Sequence, residues 1–100
     1  MEGNASVATD VLATYAADAA REVEGVAGLV EGRLPRHGAV RVGTDEGITL
    51  ELHLALEWGA PAERVGAEVQ RRVADYLERM VGARPQSVDV VVDEIAAPVR

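Results

Sequence analysis

The stretch Ile48-Thr-Leu-Glu-Leu-His-Leu-Ala-Leu-Glu57 alternates between apolar residues and mostly polar residues without a break. Side chains of a β-strand point alternately to its two faces, so this alternation predicts a strand with two unlike faces. Ile48 and the four leucines share one face. The other face carries Thr49, Glu51, His53, Ala55 and Glu57. The strand is therefore expected to cover a core with one face and to meet water with the other.

Two further segments extend the sheet. Val40-Arg-Val42 alternates in the same way and Thr44-Asp-Glu-Gly47 has the composition of a turn, which together predict a hairpin with residues 48–57. Residues 87–95 predict another strand, which places Val88, Val90 and Val92 on one face. Crossover connections through a helix are right-handed and join parallel strands, so this last strand is expected to run parallel to residues 48–57.

Two helices are predicted from apolar residues at helical spacing. The first covers residues 10–24. The second begins at Pro61, with Glu63 reaching back to the free N–H of Ala60, and ends at Gly82. The stripes expected to be buried are Val11, Leu12, Tyr15, Ala16, Ala19 and Val23 on the first helix, and Val65, Val69, Val73, Tyr76, Leu77 and Met80 on the second.

These elements predict an α+β fold in the order (β)αββαβ, where the bracketed strand is a short segment at Ala5–Ala8. Two helices pack on one face of a small, mixed, three-stranded sheet. The other sheet face stays open to water or to a partner. The 100 residues are expected to form one domain, residues 1–100, with an ordered core over about 5–95.

Charge and residue usage exclude several classes of site. Ten Arg against seventeen Asp and Glu give a formal charge of −7, which opposes binding to nucleic acid. The absence of Cys excludes disulfides, thiol nucleophiles and the usual structural zinc sites, and the absence of Lys excludes Schiff-base chemistry. No apolar run approaches the ~18 residues of a membrane span. A cytoplasmic protein without direct membrane insertion is expected.

The open sheet face holds the residues expected to form an interaction surface. Because residues i and i+2 of a strand share a face, Glu51 and His53 are expected to lie beside Asp89, Val91 and Asp93 of the neighbouring strand. This acidic surface, with one exposed apolar residue, favours a basic protein segment as its partner. His53 is expected to be an ordinary surface residue, unless flanking carboxylates bring its charge change close to neutral pH.

The same face permits a second interpretation, a site for a divalent hard cation. Carboxylate oxygens for such a site are available from Glu51, Glu57, Asp89 and Asp93, beside the imidazole of His53. Acidic residues on a wet sheet face usually serve solubility, so a solvated face without a metal is favoured. No Ser, His and carboxylate combination forms a readable triad, and no catalytic residue is assigned.

Three features outside this face are interpreted as structural. Trp58 ends the central strand and is expected to cap the core rather than to anchor a ligand. Gly25-Val-Ala-Gly28 has Gly-x-x-Gly spacing without a basic flank, which favours a helix stop followed by a strand over a phosphate-binding loop. Residues 31–38 are expected to form an exposed loop with Arg33 and Arg36 solvated.

Several short motifs follow one another in a characteristic order. They are Gly3-x-Ala5-x-Val7, Asp10-Val11-Leu12, Ala19-Ala20-x-x-Val23-x-Gly25-Val26-x-x-Leu29, Trp58-Gly59, Val65, Val69-Gln70, Val73, Met80-Val81-Gly82 and Val88-x-Val90-x-Val92. Their order and spacing resemble the alkaline shock protein family of small bacterial cell-envelope stress proteins. The chain departs from the family at Ala5 and Ala8, where relatives often carry larger aliphatic and hydroxyl residues.

The resemblance implies a non-enzymatic interaction or scaffold protein of the envelope stress response, without a cofactor. It further implies a cytoplasmic location near the membrane, a protein partner such as a small membrane-anchoring protein, and self-assembly into a homo-oligomer. A KH-like RNA-binding domain is the alternative that the α-β-β-α-β order leaves open, although such a domain needs a basic Gly-x-x-Gly loop between its helices. The divalent-metal site is the third interpretation.

Overall fold

A computed structural model describes residues 2–31 and 38–98 of the chain. Two helices and four strands follow one another in the order α-β-β-β-α-β. Their bounds are α1 Glu2–Arg21, β1 Val26–Leu29, β2 Val40–Gly43, β3 Thr49–Leu56, α2 Ala62–Val81 and β4 Ser87–Ile95. The predicted α+β class, the β2–β3 hairpin and both ends of β4 are confirmed.

The central strand of the sheet is β3. It pairs along one side with β4 in parallel, as predicted, and along the other side with β1 and β2, which are both antiparallel to it. The two short strands meet end to end at His53, whose N–H donates to the Ala39 carbonyl at 2.9 Å and whose carbonyl accepts from the Val30 N–H at 2.8 Å. The sheet therefore is three strands wide but contains four strands, one more than predicted. The extra strand is β1, which the Gly25–Gly28 segment indicated but the predicted order omitted, because Val26–Leu29 is only four residues long and has no alternating pattern.

The strand predicted at Ala5–Ala8 is wrong, because these residues lie within α1. Alanine has the highest helix propensity, and a single turn of chain carries too weak a β pattern to oppose it. At its other end α1 stops at Arg21, three residues before the predicted end. The Val26 N–H then donates to the Val23 carbonyl at 3.1 Å in a turn where Gly25 has a φ of +102°. Glycine adopts this backbone conformation without strain.

The ends of α2 lie within one residue of their predicted positions. Pro61 occupies the N-cap, with φ −74° and ψ 111°, and Ala62 is the first helical residue. The Ala60 N–H donates to the Glu57 carbonyl at 3.0 Å rather than to a side chain of Glu63. Gly82 ends the helix in the left-handed conformation, with its N–H donating to the Glu78 carbonyl at 2.9 Å.

The core lies between the helices and the leucine face of β3. Leu52, Leu54 and Leu56 are fully buried, and α1 covers β1 and β2 while α2 covers β4. The helices and the turn after α1 contribute Leu12, Ala16, Ala17, Ala19, Ala20, Val23, Val65, Val69, Val73 and Leu77. Four residues of the predicted stripes are not fully part of it. Val11 is 39% exposed and Met80, in the last turn of α2, is 45% exposed, while Tyr15 and Tyr76 are partly buried and pack against the core.

Both helices lie on the leucine face, and within residues 2–31 and 38–98 no helix covers the opposite face. The predicted two-layer arrangement is confirmed. Neither α1 nor α2, the helices of the described segments, is long and apolar enough to cross a lipid bilayer.

Candidate interaction surface

The sheet face opposite the helices brings together the five residues predicted to form the interaction surface. In the parallel register of β3 and β4, Glu51 lies beside Asp89 and His53 lies beside Val91. Asp93 falls at the point where the register shifts by one residue, and its carboxylate reaches back to His53. We call these five residues the polar face.

His53 is held by carboxylates at both ring nitrogens. Its Nδ1 lies 2.5 Å from Asp93 Oδ2 and its Nε2 lies 2.8 Å from Glu51 Oε2. A carboxylate only accepts hydrogen bonds, and a neutral imidazole has only one N–H to donate. Both contacts are therefore hydrogen bonds only when the ring is a doubly protonated imidazolium.

The prediction that His53 is an ordinary surface residue is wrong, since only 9% of the residue is exposed. Burial by itself lowers the pKa of His53, because it disfavours the charged ring. The hydrogen bonds and negative charges of Asp93 and Glu51 act in the opposite direction and together raise the pKa of His53 above its usual 6.5. The two carboxylates thus favour the charged form of the ring, against the effect of burial.

A positive charge that was not predicted for this surface, Arg41, lies beside the polar face. Arg41 Nη2 is 3.6 Å from Glu51 Oε1, across the β2–β3 pair. The alternation of Val40-Arg-Val42 already indicated that Arg41 lies on this face of the sheet, because it places Arg41 on the face opposite the two valines. Asp89 differs from the other carboxylates of the polar face, since it is exposed and forms no ion pair with the described part of the chain. Asp89 is therefore the carboxylate that remains available to a partner.

The contacts around His53 do not favour the metal interpretation. A histidine binds a metal through a ring-nitrogen lone pair, and both nitrogens of His53 are engaged by carboxylates. Glu57 does not join the cluster, because it follows the end of β3 and lines a different surface. Among the described side chains, at residues 9–31 and 38–98, no group of three or more His, Asp or Glu is arranged to hold a metal ion.

The expectation that Trp58 caps the core is wrong. The side chain is 66% exposed and lines a groove of about 740 Å³ between the α1–β1 turn and the start of α2. Alternation from Leu56 would carry residue 58 onto the core face, but β3 ends at Leu56 and the chain turns at Gly59, with a φ of +86°. An alternating pattern does not reveal where the strand stops, so the outward orientation of the Trp58 side chain was not predicted.

The Gly25 to Gly28 segment is a helix stop followed by β1, as predicted. Arg33 and Arg36, expected in an exposed loop, lie outside the described residues, which resume at Gly38.

Comparison with known proteins gives a family match over almost the whole chain. A family model for alkaline shock proteins, described as having a cell envelope-related function, matches residues 1–97. The chain is also 26% identical over 107 aligned residues to an uncharacterized protein of Streptococcus pyogenes serotype M6, covering 94% of this chain and 88% of that protein.

Among solved structures, the fold is similar to MamM CTD proteins. A double variant of the MamM CTD superposes with a TM-score of 0.63 at 16% identity, over 90% of this chain and 96% of that one. Another variant, named as a manganese form, gives a TM-score of 0.54 at 18% identity, over 84% of this chain and 95% of that one. Identities this low establish a common fold and nothing about the ligands of this chain.

Proposed function

The chain belongs to the alkaline shock protein family, whose function is cell envelope-related, and from that premise we propose that it is a non-enzymatic interaction protein. The polar face binds a basic segment of a membrane-anchored protein partner. The partner holds the chain at the cytoplasmic side of the membrane, where the chain serves the envelope stress response.

The observation that carries this proposal is the polar face itself. Both helices pack on the other side of the sheet, so an exposed carboxylate, Asp89, and a half-buried apolar residue, Val91, lie together without a helix over them in the described segments. A carboxylate beside a small apolar surface matches a segment that combines a basic with an apolar side chain. The ring nitrogens of His53 are engaged with Glu51 and Asp93, so the ring is better suited to ordering the face than to moving protons.

Self-assembly is proposed through a different part of the sheet, the outer edge of β4. This strand spans nine residues and pairs only with β3 among the described strands. Unpaired backbone N–H and C=O groups on a sheet edge form a ready template for a strand of a second copy. Light scattering over a range of protein concentrations is expected to show a rise in mean mass, and a constant monomer mass at high concentration would contradict this part of the proposal.

The proposed partner is tested with membranes from cells that produce the protein. Purified protein is expected to sediment with these membranes, and digestion of exposed membrane proteins by a protease before mixing is expected to abolish the binding. Vesicles of anionic lipid alone are expected to bind none of the protein, because the chain carries a formal charge of −7. Binding that survives the protease, or equal binding to the lipid vesicles, would contradict a protein partner.

A further inference from the structure

The groove beside Trp58 is separate from the polar face and has no role in the proposed function. It forms where the end of β3, the start of α2 and the α1–β1 turn come together, with Gly59, Ala60 and Pro61 along one wall. Its volume of about 740 Å³ falls within the range of roughly 300–1,000 Å³ that is typical of ligand sites. The groove is therefore large enough for a side chain and part of the backbone of a bound segment.

Trp58 is the one tryptophan of the sequence, and two thirds of its surface is exposed. A large exposed aromatic side chain is a costly surface residue and a frequent energetic centre of protein interfaces. The turn at Gly59 and the following Pro61 limit the backbone freedom next to the indole. The indole is thus presented on a constrained turn.

The charges around the groove are mainly negative. Four carboxylates and two guanidinium groups line it, which leaves a formal charge of −2, from Glu22, Glu24, Glu57, Glu68, Arg64 and Arg72. Arg72 Nε lies 3.7 Å from Glu68 Oε2, so the opposite charges of these two side chains largely cancel. The side chains of Glu22, Glu24 and Glu57 form no ion pair with the side chains that the structure describes, at residues 9–31 and 38–98.

No arginine of the described residues occupies the face of Trp58. The cation–π contact that the structure contains is elsewhere, where the Arg79 guanidinium lies 5.8 Å from the ring centre of Tyr76. Trp58 has the stronger π-face for a cation and lines the same groove as the carboxylates, so a cation bound in the groove is attracted by both.

We propose that the groove binds an arginine or lysine side chain from an extended basic segment of a partner protein. The cation packs against the indole of Trp58, and the unpaired carboxylates Glu22, Glu24 and Glu57 neutralise its charge. The groove continues toward a second one between α1 and α2, since Glu22 and Arg72 line both. A segment several residues long, rather than a free amino acid, is therefore the occupant.

The test uses the fluorescence of Trp58, which reports on the groove alone because the chain has no other tryptophan. An eight-residue peptide of alternating Gly and Arg is titrated into the purified protein at low salt, with an alternating Gly and Glu peptide as the control. The Arg peptide is expected to shift and saturate the emission, and added salt is expected to weaken its binding. An unchanged emission up to millimolar Arg peptide would overturn the proposal.

Matched variants separate the groove from the general attraction of an acidic protein for a basic peptide. Glu57→Gln removes a groove carboxylate and is expected to raise the Kd about three- to fivefold, whereas Glu46→Gln, the same charge change in the exposed β2–β3 turn, is expected to change it less than about twofold. Trp58→Leu keeps an apolar side chain and is expected to weaken binding about three- to thirtyfold by calorimetry. Equal effects of Glu57→Gln and Glu46→Gln, or no effect of Trp58→Leu, would show non-specific attraction. This assay contains neither membranes nor the partner of the polar face, so a negative result here does not contradict the proposed function. Failure of the membrane sedimentation assay likewise does not contradict binding in the groove.

Discussion

His53 Nδ1 lies 2.5 Å from Asp93 Oδ2 across the parallel strands β3 and β4. With Glu51 Oε2 at 2.8 Å from the other ring nitrogen, the imidazolium links two carboxylates that belong to different strands. A charged hydrogen bond of this kind is stronger than a neutral one. The His53 ring therefore fastens β4, which lies at the edge of the sheet, to the central strand on the face where a partner is proposed to bind.

The first prediction concerns the titration of His53. Its pKa is expected to lie above the usual 6.5, and Asp93→Asn is expected to lower it, because the variant removes a negative charge while the ring stays buried. NMR of the imidazole protons over a pH series measures both values, and a His37→Gln variant identifies the His53 signals. The same midpoint in Asp93→Asn and in the unchanged protein would show that the Asp93 contact does not control the ring.

The second prediction concerns stability as a function of pH. The pKa of His53 is raised in the folded protein above the 6.5 of the unfolded chain, so the charged ring contributes stability that is complete below about pH 6.5 and is lost as the pH rises through the folded-state pKa. The free energy of unfolding, relative to that of His53→Gln, is expected to fall as the pH rises from about 6.5 through the folded-state pKa of His53. Urea unfolding of the two proteins side by side measures this difference. A difference that grows with pH would have the wrong sign for a raised pKa.

The third prediction tests the register of β3. Leu52 is fully buried, so Leu52→Ala is expected to lower the free energy of unfolding by about 2 to 5 kcal/mol. Thr49, on the same strand, is exposed, so Thr49→Ala is expected to lower the free energy of unfolding by less than about 1 kcal/mol. Chemical denaturation gives both values, and similar losses at the two positions would be incompatible with the two-faced strand.

The alternation of residues 48–57 and 87–95 was enough to predict β3, β4 and the two unlike faces of β3, because burial of one sheet face imposes a period of two. The same reasoning brought Glu51, His53, Asp89, Val91 and Asp93 to one surface. It did not predict the burial of His53, which depends on the distance between carboxylates from two strands and not on the pattern within either one.

Features set by a few residues of backbone were missed for a related reason. Trp58 turns outward because β3 stops two residues earlier, and β1 forms because the backbone of Val30 finds a partner at His53. Neither the end of a strand nor its pairing partner leaves a periodic signal in a segment of four residues. Ala5–Ala8 was assigned to a strand because the pattern of so short a segment does not distinguish strand from helix.

The fourth prediction concerns the turn between α1 and β1. A Cβ at Gly25 would lie 2.7 Å from Val65 Cγ2 and the φ there is +102°, so Gly25→Ala is expected to destabilise the protein by about 1 to 3 kcal/mol. Gly28→Ala is the matched control, because nothing lies within 4 Å of its added Cβ, and it is expected to change stability by less than about 1 kcal/mol. Thermal unfolding distinguishes the two, and equal melting temperatures would contradict the close approach of Gly25 to α2.

Reversing the charge of Asp89 tests most directly whether the polar face is the docking surface. Asp89→Arg changes an exposed residue of this face, and Glu46→Arg makes the same change at an exposed turn away from it. Both variants are expected to fold with melting temperatures close to that of the unchanged protein, since surface substitutions usually cost within about 0.5 kcal/mol. In the sedimentation assay with untreated membranes, Asp89→Arg is expected to lose binding by about tenfold or more, because a buried charge of the wrong sign opposes a basic partner, while Glu46→Arg stays within about twofold. Full binding by Asp89→Arg, or an equal loss in both variants, would contradict the account and place the docking surface elsewhere on the molecule.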